Sequence, residues 1–238
     1  MRKKRAVTEA RRTPFPSCAS CQVTLNERVC MAKKGAGSKG CPTLTRRQVL
    51  GEADAAYDLP EIGEFARQAS VQEGECYANR HQRPYVLQPT KTRMQEICEF
   101  GKRMGYKRLG LAFCAGLVRE AAVVEGILKA HGFEVVSVLC KAGRTSKERI
   151  GIKDAEKIRR GTDEAMCSPI FQAKLLNHEE TEFNVLLGLC VGHDSLFFKY
   201  AKAPTTVLAV KDRVTGHNPL AAIYLSESYY RKLKTPGV

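Results

Sequence analysis

From residue 106 onward, short apolar segments alternate with segments of helical character, and this alternation constrains the fold more than any other feature. The strand-like segments are YKRLGLAFC, FEVVSVLC, EFNVLLGLC and PTTVLAVK. Segments such as GLVREAAVVEGILKAHG and SPIFQAKLLN separate them and have the periodicity or the start signals of helices. Strands that alternate with helices are typical of a parallel sheet with right-handed crossovers. We therefore predict an α/β fold, an open doubly wound parallel sheet of about four or five strands over residues 106–238.

Three further regions precede this domain in the sequence. Residues 1–17 are basic and indicate a flexible tail, and residues 18–43 carry four cysteines and a Gly/Lys-rich loop, which indicates a small metal knuckle. Residues 44–105 are predicted to be helical and to pack on the main domain. In the clearest of these helices, Thr92 and Gln95 have the spacing of a capping box.

The positive charge of the chain is concentrated at its amino-terminal end. Residues 1–50 contain 12 basic and 2 acidic residues, so they supply +10 of the total formal charge of +14. This pattern indicates a solvated basic arm, and contact with nucleic acid is the less favoured alternative because no aromatic residues interleave the charges. No apolar run reaches membrane-spanning length and the basic start leads into no apolar segment. We predict a cytoplasmic protein with no membrane partner.

Four of the ten cysteines form the pattern C-x2-C-x8-C-x10-C near the amino terminus. Clustered thiols in a chain without a secretion signal are more typical of metal or redox sites than of disulfides. Four thiolates can complete the shell of a zinc ion or of an iron–sulfur cluster, and the spacing does not distinguish the two. Four unrelated thiols are the alternative. The predicted metal ligands are Cys18, Cys21, Cys30 and Cys41.

A second set of cysteines follows the predicted strands. Its members are Cys114, Cys140, Cys167 and Cys190. Three of them end a strand-like segment and one immediately precedes a predicted helix, so all four fall near the carboxyl edge of the sheet, where such folds bind ligands. We predict one shared cofactor-binding site there, which holds a second metal ion or iron–sulfur cluster or acts as a redox centre. The alternative is four separate core residues, because cysteine is commonly buried.

Other reactive residues gather at the same predicted edge. His193 and Asp194 follow Cys190 directly, and His217 lies in the loop after the last strand. Cys167 or Cys190 can serve as a nucleophile with His193 as its base. Asp194 fits either a catalytic role or a helix cap, and His217 fits a ligand, a proton carrier or a substrate contact.

Several longer segments carry a family resemblance. The segments CASC and CPTL, FCAGLVREA, MCSPIFQAKLLN, NVLLGLCVGHDSLFFKYAKAPTTVLAVKDR and GHNPLAAIY resemble the family called domain of unknown function 1847. The resemblance covers about residues 16–230 and is most specific at 184–224. Members of that family are described as candidate metal-binding proteins because of their amino-terminal cysteines. The resemblance therefore implies metal binding at the first cysteine set, and it implies no reaction.

Two local departures from the family pattern accompany this resemblance. Ser168 stands where Asn is expected, and the linker between Cys21 and Cys41 is longer and richer in Lys and Gly than expected. The second departure bears on which metal is bound.

The sequence leaves three functions open, in descending order of preference. The first is a zinc or iron–sulfur protein of redox or small-molecule metabolism, with an unidentified small substrate and a redox partner. The second is an enzyme that uses Cys167 or Cys190 as a nucleophile with His193. The third is a zinc knuckle with a basic arm that binds nucleic acid. Whether the protein is an enzyme stays open.

Overall fold

A computed structural model of the chain describes residues 14–235 and residue 237. The chain divides into two compact units, one that ends at Ala69 and one that begins at Ser70. Residues 1–13 of the predicted basic tail lie outside the described residues. The boundaries predicted after residues 17, 43 and 105 stay predictions.

The amino-terminal unit contains the first cysteine set in irregular backbone. Two short 3-10 turns (Cys18–Ser20 and Leu25–Glu27) are followed by the helices α1 (Pro42–Thr45) and α2 (Arg47–Tyr57). The helix α3 (Pro60–Glu75) begins in this unit and ends beyond Ala69. Arg28 braces the irregular segment, because its Nε donates to the carbonyl of Val23 at 2.9 Å and its Nη2 to the carbonyl of Cys21 at 3.2 Å. The guanidinium therefore satisfies carbonyls that no regular element pairs.

The carboxy-terminal unit is built on a parallel sheet. Its strands are β1 (Arg108–Phe113), β2 (Glu134–Leu139), β3 (Phe183–Leu189) and β4 (Thr205–Val210), in the spatial order β2-β1-β3-β4. All three neighbouring pairs are parallel. The α/β fold and the parallel sheet predicted from the sequence are confirmed, with four strands among the described residues.

Helices cover the sheet because its central strands are apolar on both faces. The helices are α4 (Arg93–Arg103), α5 (Val118–Ala130), α6 (Pro169–His178), α7 (His193–Tyr200) and α8 (Leu220–Tyr224). One core cluster joins Leu186 of β3 to Leu176 of α6 and Phe197 of α7. Leu111 and Val185 are also fully buried, and every residue of β3 is buried. Such a central strand is typical of an α/β sheet that is covered on both sides.

The predicted capping box at the start of α4 is present. The Oγ1 of Thr92 accepts from the backbone N–H of Gln95, and the side-chain Oε1 of Gln95 accepts from the backbone N–H of Thr92 at 2.8 Å. Among the described residues, no helix combines the length and the apolar character that a membrane span requires.

Replacing Thr92 by alanine is expected to lower the free energy of unfolding by about 1 kcal/mol, because a first-turn N–H loses its acceptor. Urea denaturation measures this difference. Thr235→Ala is the matched control, since Thr235 is exposed and lies outside every helix start, and we expect a change within about 0.5 kcal/mol. Equal losses in the two variants would remove the capping explanation.

Candidate functional site

The carboxyl ends of β1, β2 and β3 bring three cysteines to one edge of the sheet. Cys114, Cys140 and Cys190 each follow the last residue of a strand. The backbone N–H of Cys140 donates to the carbonyl of Phe113 at 2.9 Å, and that of Cys114 donates to the carbonyl of Leu187 at 3.1 Å. The ladder between the strands therefore sets these cysteines side by side.

The fourth cysteine reaches the same edge through a long excursion, residues 141–166, that leaves β2 and returns to it. The backbone N–H of Ser168 donates to the carbonyl of Cys140 at 2.8 Å. Lys141 Nζ donates to the carbonyl of Ala165 at 2.6 Å. These bonds close the excursion at its base and place Cys167 beside Cys140. Pro169 then begins α6.

The four cysteines and His193 line one small cavity, and we call these five residues the inner cysteine centre. Gln172 and Leu189 complete the lining. The cavity offers about 10 Å³ to the centre of a water-sized sphere, which is room for one atom-sized guest. The structure thus brings together the four cysteines that the sequence placed at one edge.

Within the centre, Cys140 forms hydrogen bonds with both Cys114 and Cys167, and Cys167 also contacts His193. The hydrogen bond with Cys140, supported by His193, lowers the pKa of Cys167 to about 4. The hydrogen bond with Cys140 likewise lowers the pKa of Cys114 to about 5, with help from the backbone N–H of Gly116 and from a nearby lysine. Hydrogen bonds that favour the thiolate form are the cause in both cases.

Cys140 and His193 shift in the opposite direction. The pKa of Cys140 is raised because its thiol proton is held by its two cysteine neighbours and because the side chain is buried. The pKa of His193 is raised by its hydrogen bond with Cys167. A thiol carries one proton, so Cys140 supports one neighbour at a time. Cys167 differs from Cys114 in having a second partner, the imidazole of His193, which also lowers its pKa.

Three cations surround the centre, each beside a different thiol. Arg213 Nη2 donates to the Sγ of Cys190 at 3.3 Å. The positive charges of Lys211 and Lys141 favour the thiolates of Cys114 and Cys167, respectively. Among the ion pairs of the described residues, none includes these three cations. The thiols of the centre are consequently flanked by positive charge.

Gln172 lines the cavity, and the sequence analysis missed it. It is 0% exposed, and its Nε2 donates to the carbonyls of Val138 at 2.8 Å and of Phe113 at 3.2 Å. Its Oε1 has no hydrogen-bond partner in the described part of the chain. The signal in the sequence was a glutamine four residues before Leu176, on the buried face of an amphipathic helix.

Asp194 and His217 do not line the cavity. Asp194 accepts from the backbone N–H of Ser195 at 2.7 Å in the first turn of α7. The cap position of that helix belongs to Gly192 at φ 82°, so the alternative in which Asp194 caps the helix is wrong. His217 Nδ1 lies 3.1 Å from the backbone nitrogen of Asp212 and closes its own loop.

The amino-terminal cysteines are more open to solvent. Cys18 and Cys30 are exposed, whereas Cys21 and Cys41 are half-buried. The side chain of Ser38 lowers the pKa of Cys21 by a hydrogen bond. A Cβ at position 37 would lie 3.0 Å from the Sγ of Cys41, so the turn at 37–38 touches two of the four thiols.

The metal sites expected at the two cysteine sets depend on the placement of the possible ligands. Among the described residues, no group of three or more His, Cys, Asp or Glu side chains is placed so that it could hold a metal ion. The metal and cluster assignments made from the sequence therefore stay predictions at both sets.

The fold and the site define an α/β protein with an open parallel sheet and a cysteine-lined cavity at the carboxyl edge of its strands. Residues 41–208 match the family model described as "Protein of unknown function (DUF1847)". The chain belongs to this family. The matched segment contains the whole inner cysteine centre and, of the amino-terminal cysteines, only Cys41.

Two further comparisons give one relative and one distant structural likeness. "Uncharacterized protein MJ0455" of Methanocaldococcus jannaschii is 46% identical over 195 residues, which cover 81% of this chain and 97% of that protein. A solved structure of an N-acetyl-L-ornithine transcarbamylase mutant, complexed with carbamyl phosphate and N-succinyl-L-norvaline, is 14% identical with a TM-score of 0.29. The likeness covers 56% of this chain and only 43% of that enzyme, less than half of its length. At this TM-score it says nothing about function.

Proposed function

We propose that the inner cysteine centre is a thiol-dependent reaction site in which Cys167 is the nucleophile and His193 holds it as a thiolate. The observation that supports this most is the contact between Cys167 and His193 at a cavity that they share with a second thiol, Cys140. The thiolate is the reactive form of cysteine, and an adjacent histidine is the usual means of maintaining it.

Cys140 gives the proposed site a redox capacity. Its hydrogen bond with Cys167 puts the two sulfurs side by side. If Cys167 is oxidised or covalently modified, the thiol of Cys140 can therefore attack it, displace the modification and form a disulfide. Cys167 is half-buried rather than fully enclosed, and a small reagent can therefore reach it. A substrate of small size fits this arrangement better than a polymer.

Brief treatment with iodoacetamide at pH 5, followed by peptide mapping, tests the proposal. We expect Cys167 to be labelled at least about tenfold faster than Cys30, because an ordinary thiol is mostly protonated at that pH. Cys30 is the matched comparison, since it is exposed and lies outside the centre. Labelling of all accessible cysteines at similar rates would refute the proposal.

A single soft metal ion in the same centre is the second candidate. The supporting observation is the size of the cavity, which suits one atom and is lined by four thiols. Analysis of zinc, iron and acid-labile sulfide in the wild type and in a Cys114→Ser/Cys190→Ser variant decides between the candidates. A stoichiometric metal that the double variant loses would replace the thiol proposal.

We also propose a zinc ion or an iron–sulfur cluster at the amino-terminal cysteines, supported by their C-x2-C pair and by the turn that touches both Cys21 and Cys41. The same metal analysis of a Cys21→Ser variant tests this site separately from the inner one. Metal content that is unchanged in this variant would count against the amino-terminal site.

A further inference from the structure

The inner cysteine centre has three features that a bare nucleophile does not require. They are a cavity of one-atom size, an unpartnered amide oxygen on one of its lining residues, and three cations around it. We propose that the centre carries a single sulfane sulfur as a persulfide on Cys167, accepted from a small anionic donor such as thiosulfate or inorganic polysulfide. This inference rests on the proposed function, because it requires Cys167 to be a nucleophile.

The cavity wall specifies the guest. Both hydrogens of the Gln172 amide are used by the carbonyls of Val138 and Phe113, so the orientation of the amide is fixed and Oε1 is the atom left without a partner in the described part of the chain. A buried acceptor without a donor costs about 1–3 kcal/mol. A guest that relieves this cost must be about one heavy atom in size and must offer one hydrogen. The terminal sulfur of a persulfide is one heavy atom, and its protonated form carries the one hydrogen.

The cavity wall consists mainly of polarisable sulfur atoms, and the sheet fixes the positions of the cysteines that carry them. Four sulfur atoms and the side chain of Leu189 leave few hard oxygen ligands around the guest. The Sγ of Cys140 accepts from the backbone N–H of Ala115 at 3.3 Å. This hydrogen bond orients the sulfur next to Cys167. A sulfur atom added to Cys167 would therefore lie among polarisable groups of its own kind.

The surrounding charge favours an anionic donor. Lys141, Lys211 and Arg213 have no carboxylate partner among the ion pairs of the described residues. Of the neighbouring carboxylates, Glu164 pairs with Lys147 at 2.8 Å and Asp212 accepts backbone N–H groups of its own loop, whereas Asp194 acts electrostatically on His193. Cations beside a pocket attract anionic ligands and speed their association.

The proposed reaction balances without an external oxidant or reductant. The Cys167 thiolate attacks the outer sulfur of thiosulfate, a new S–S bond forms, the S–S bond of thiosulfate breaks, and sulfite leaves with the electron pair. An acceptor thiolate then attacks the terminal sulfur of the persulfide and carries it away, and Cys167 returns to its thiolate form. Persulfidation is a reversible modification of low-pKa cysteines, so the loaded state can be isolated and counted.

The experiment incubates the full chain with thiosulfate or polysulfide, removes the excess, and counts bound sulfane sulfur as thiocyanate after treatment with cyanide. We expect about one sulfur per chain, a matching gain of one sulfur in the intact mass, and release as sulfide by dithiothreitol. Peptide mapping of the wild type should place the sulfur on Cys167. Cys167→Ser should not load, whereas Cys30→Ser should load like the wild type.

The role of the cations has its own readout. Lys211→Gln and Arg213→Gln are expected to slow loading from thiosulfate by about fivefold more than they slow labelling by neutral iodoacetamide, because only the first reagent is charged. If Cys167 is alkylated rapidly but no sulfur loads from either donor, the persulfide inference is overturned and the proposed function stands. If sulfur loads on other cysteines, the inference also fails. If Cys167 is inert to iodoacetamide, both fail.

Discussion

Replacing His193 by glutamine is expected to slow the alkylation of Cys167 below about pH 4 and to move the rise of its pH–rate profile to higher pH. The imidazole of His193 is one of the two groups whose hydrogen bonds lower the pKa of Cys167 to about 4. For each unit by which that pKa rises, the thiolate fraction at acid pH falls tenfold, whereas the thiolate becomes about threefold more nucleophilic. The net loss of rate is therefore about threefold per unit.

Peptide-resolved alkylation between pH 3 and pH 9 measures this effect. In the wild type, the rate at Cys167 should be nearly level above about pH 5 and should fall as the pH approaches 4. In His193→Gln the fall should begin at a higher pH. His131→Gln is the matched control, because His131 lies at the end of α5 and does not line the cavity. A profile that is identical in the wild type and in His193→Gln would show that the contact has no effect on Cys167.

The same contact makes the stability of the fold depend on pH. A group whose pKa is lowered on folding stabilises the folded state above its unfolded pKa and loses this contribution as the pH falls through its folded pKa. For Cys167 that loss runs from about pH 9 down to about pH 4. The raised pKa of His193 contributes stability at low pH, which is lost as the pH rises through the folded value.

Replacing Gly188 by alanine is expected to lower the free energy of unfolding by about 2–5 kcal/mol. Gly188 lies in β3 with φ +68°, where an L-residue costs about 1–2 kcal/mol. A Cβ there would also collide with Cδ1 of Leu117, which is 5% exposed and has little room to move. Overpacking of this kind costs about 1–3 kcal/mol.

Urea or thermal denaturation of Gly188→Ala against Gly126→Ala tests the effect. Gly126 lies in α5, and a Cβ at this position would meet nothing within 4 Å, so its replacement should stabilise the chain by about 0.5–1 kcal/mol. The two variants add the same methyl group with opposite expected signs. A stability change of the same sign and size in both would contradict the close-contact explanation.

The fold was predictable from the sequence because its signals are local. Each strand of the sheet is a short apolar run, and the start of α4 carries the Thr92 and Gln95 pair within four residues. The continuous apolar run of β3 is typical of a central strand that is buried on both faces. The need for glycine at position 188 arises partly from the close approach of Leu117, which is distant in sequence. No local pattern therefore predicts it.

The candidate site was only partly predictable, for the same reason. Successive inner cysteines are separated by about one βα unit. This spacing predicted that they lie at the same carboxyl edge of the sheet. The pairing of Cys167 with His193 and the open acceptor of Gln172 depend on how α6 and α7 pack, which spacing does not encode. His217 was assigned to the edge because its loop follows β4, yet the short distance to Asp212 keeps its ring within that loop.

Because the excursion at 141–166 places Cys167 beside Cys140, the pKa of Cys167 reports whether this corner of the fold is intact. The hydrogen bonds that lower the pKa of Cys167 form only while the end of β2, the base of the excursion and the start of α7 are all in place. Opening any one of them returns Cys167 to the titration of an ordinary thiol, with no need to unfold the whole sheet. The loss of acid-pH labelling under increasing denaturant would therefore report the opening of this corner alone. Amide exchange of β3 would report the opening of the core, and the difference between the two would give the local stability of the site.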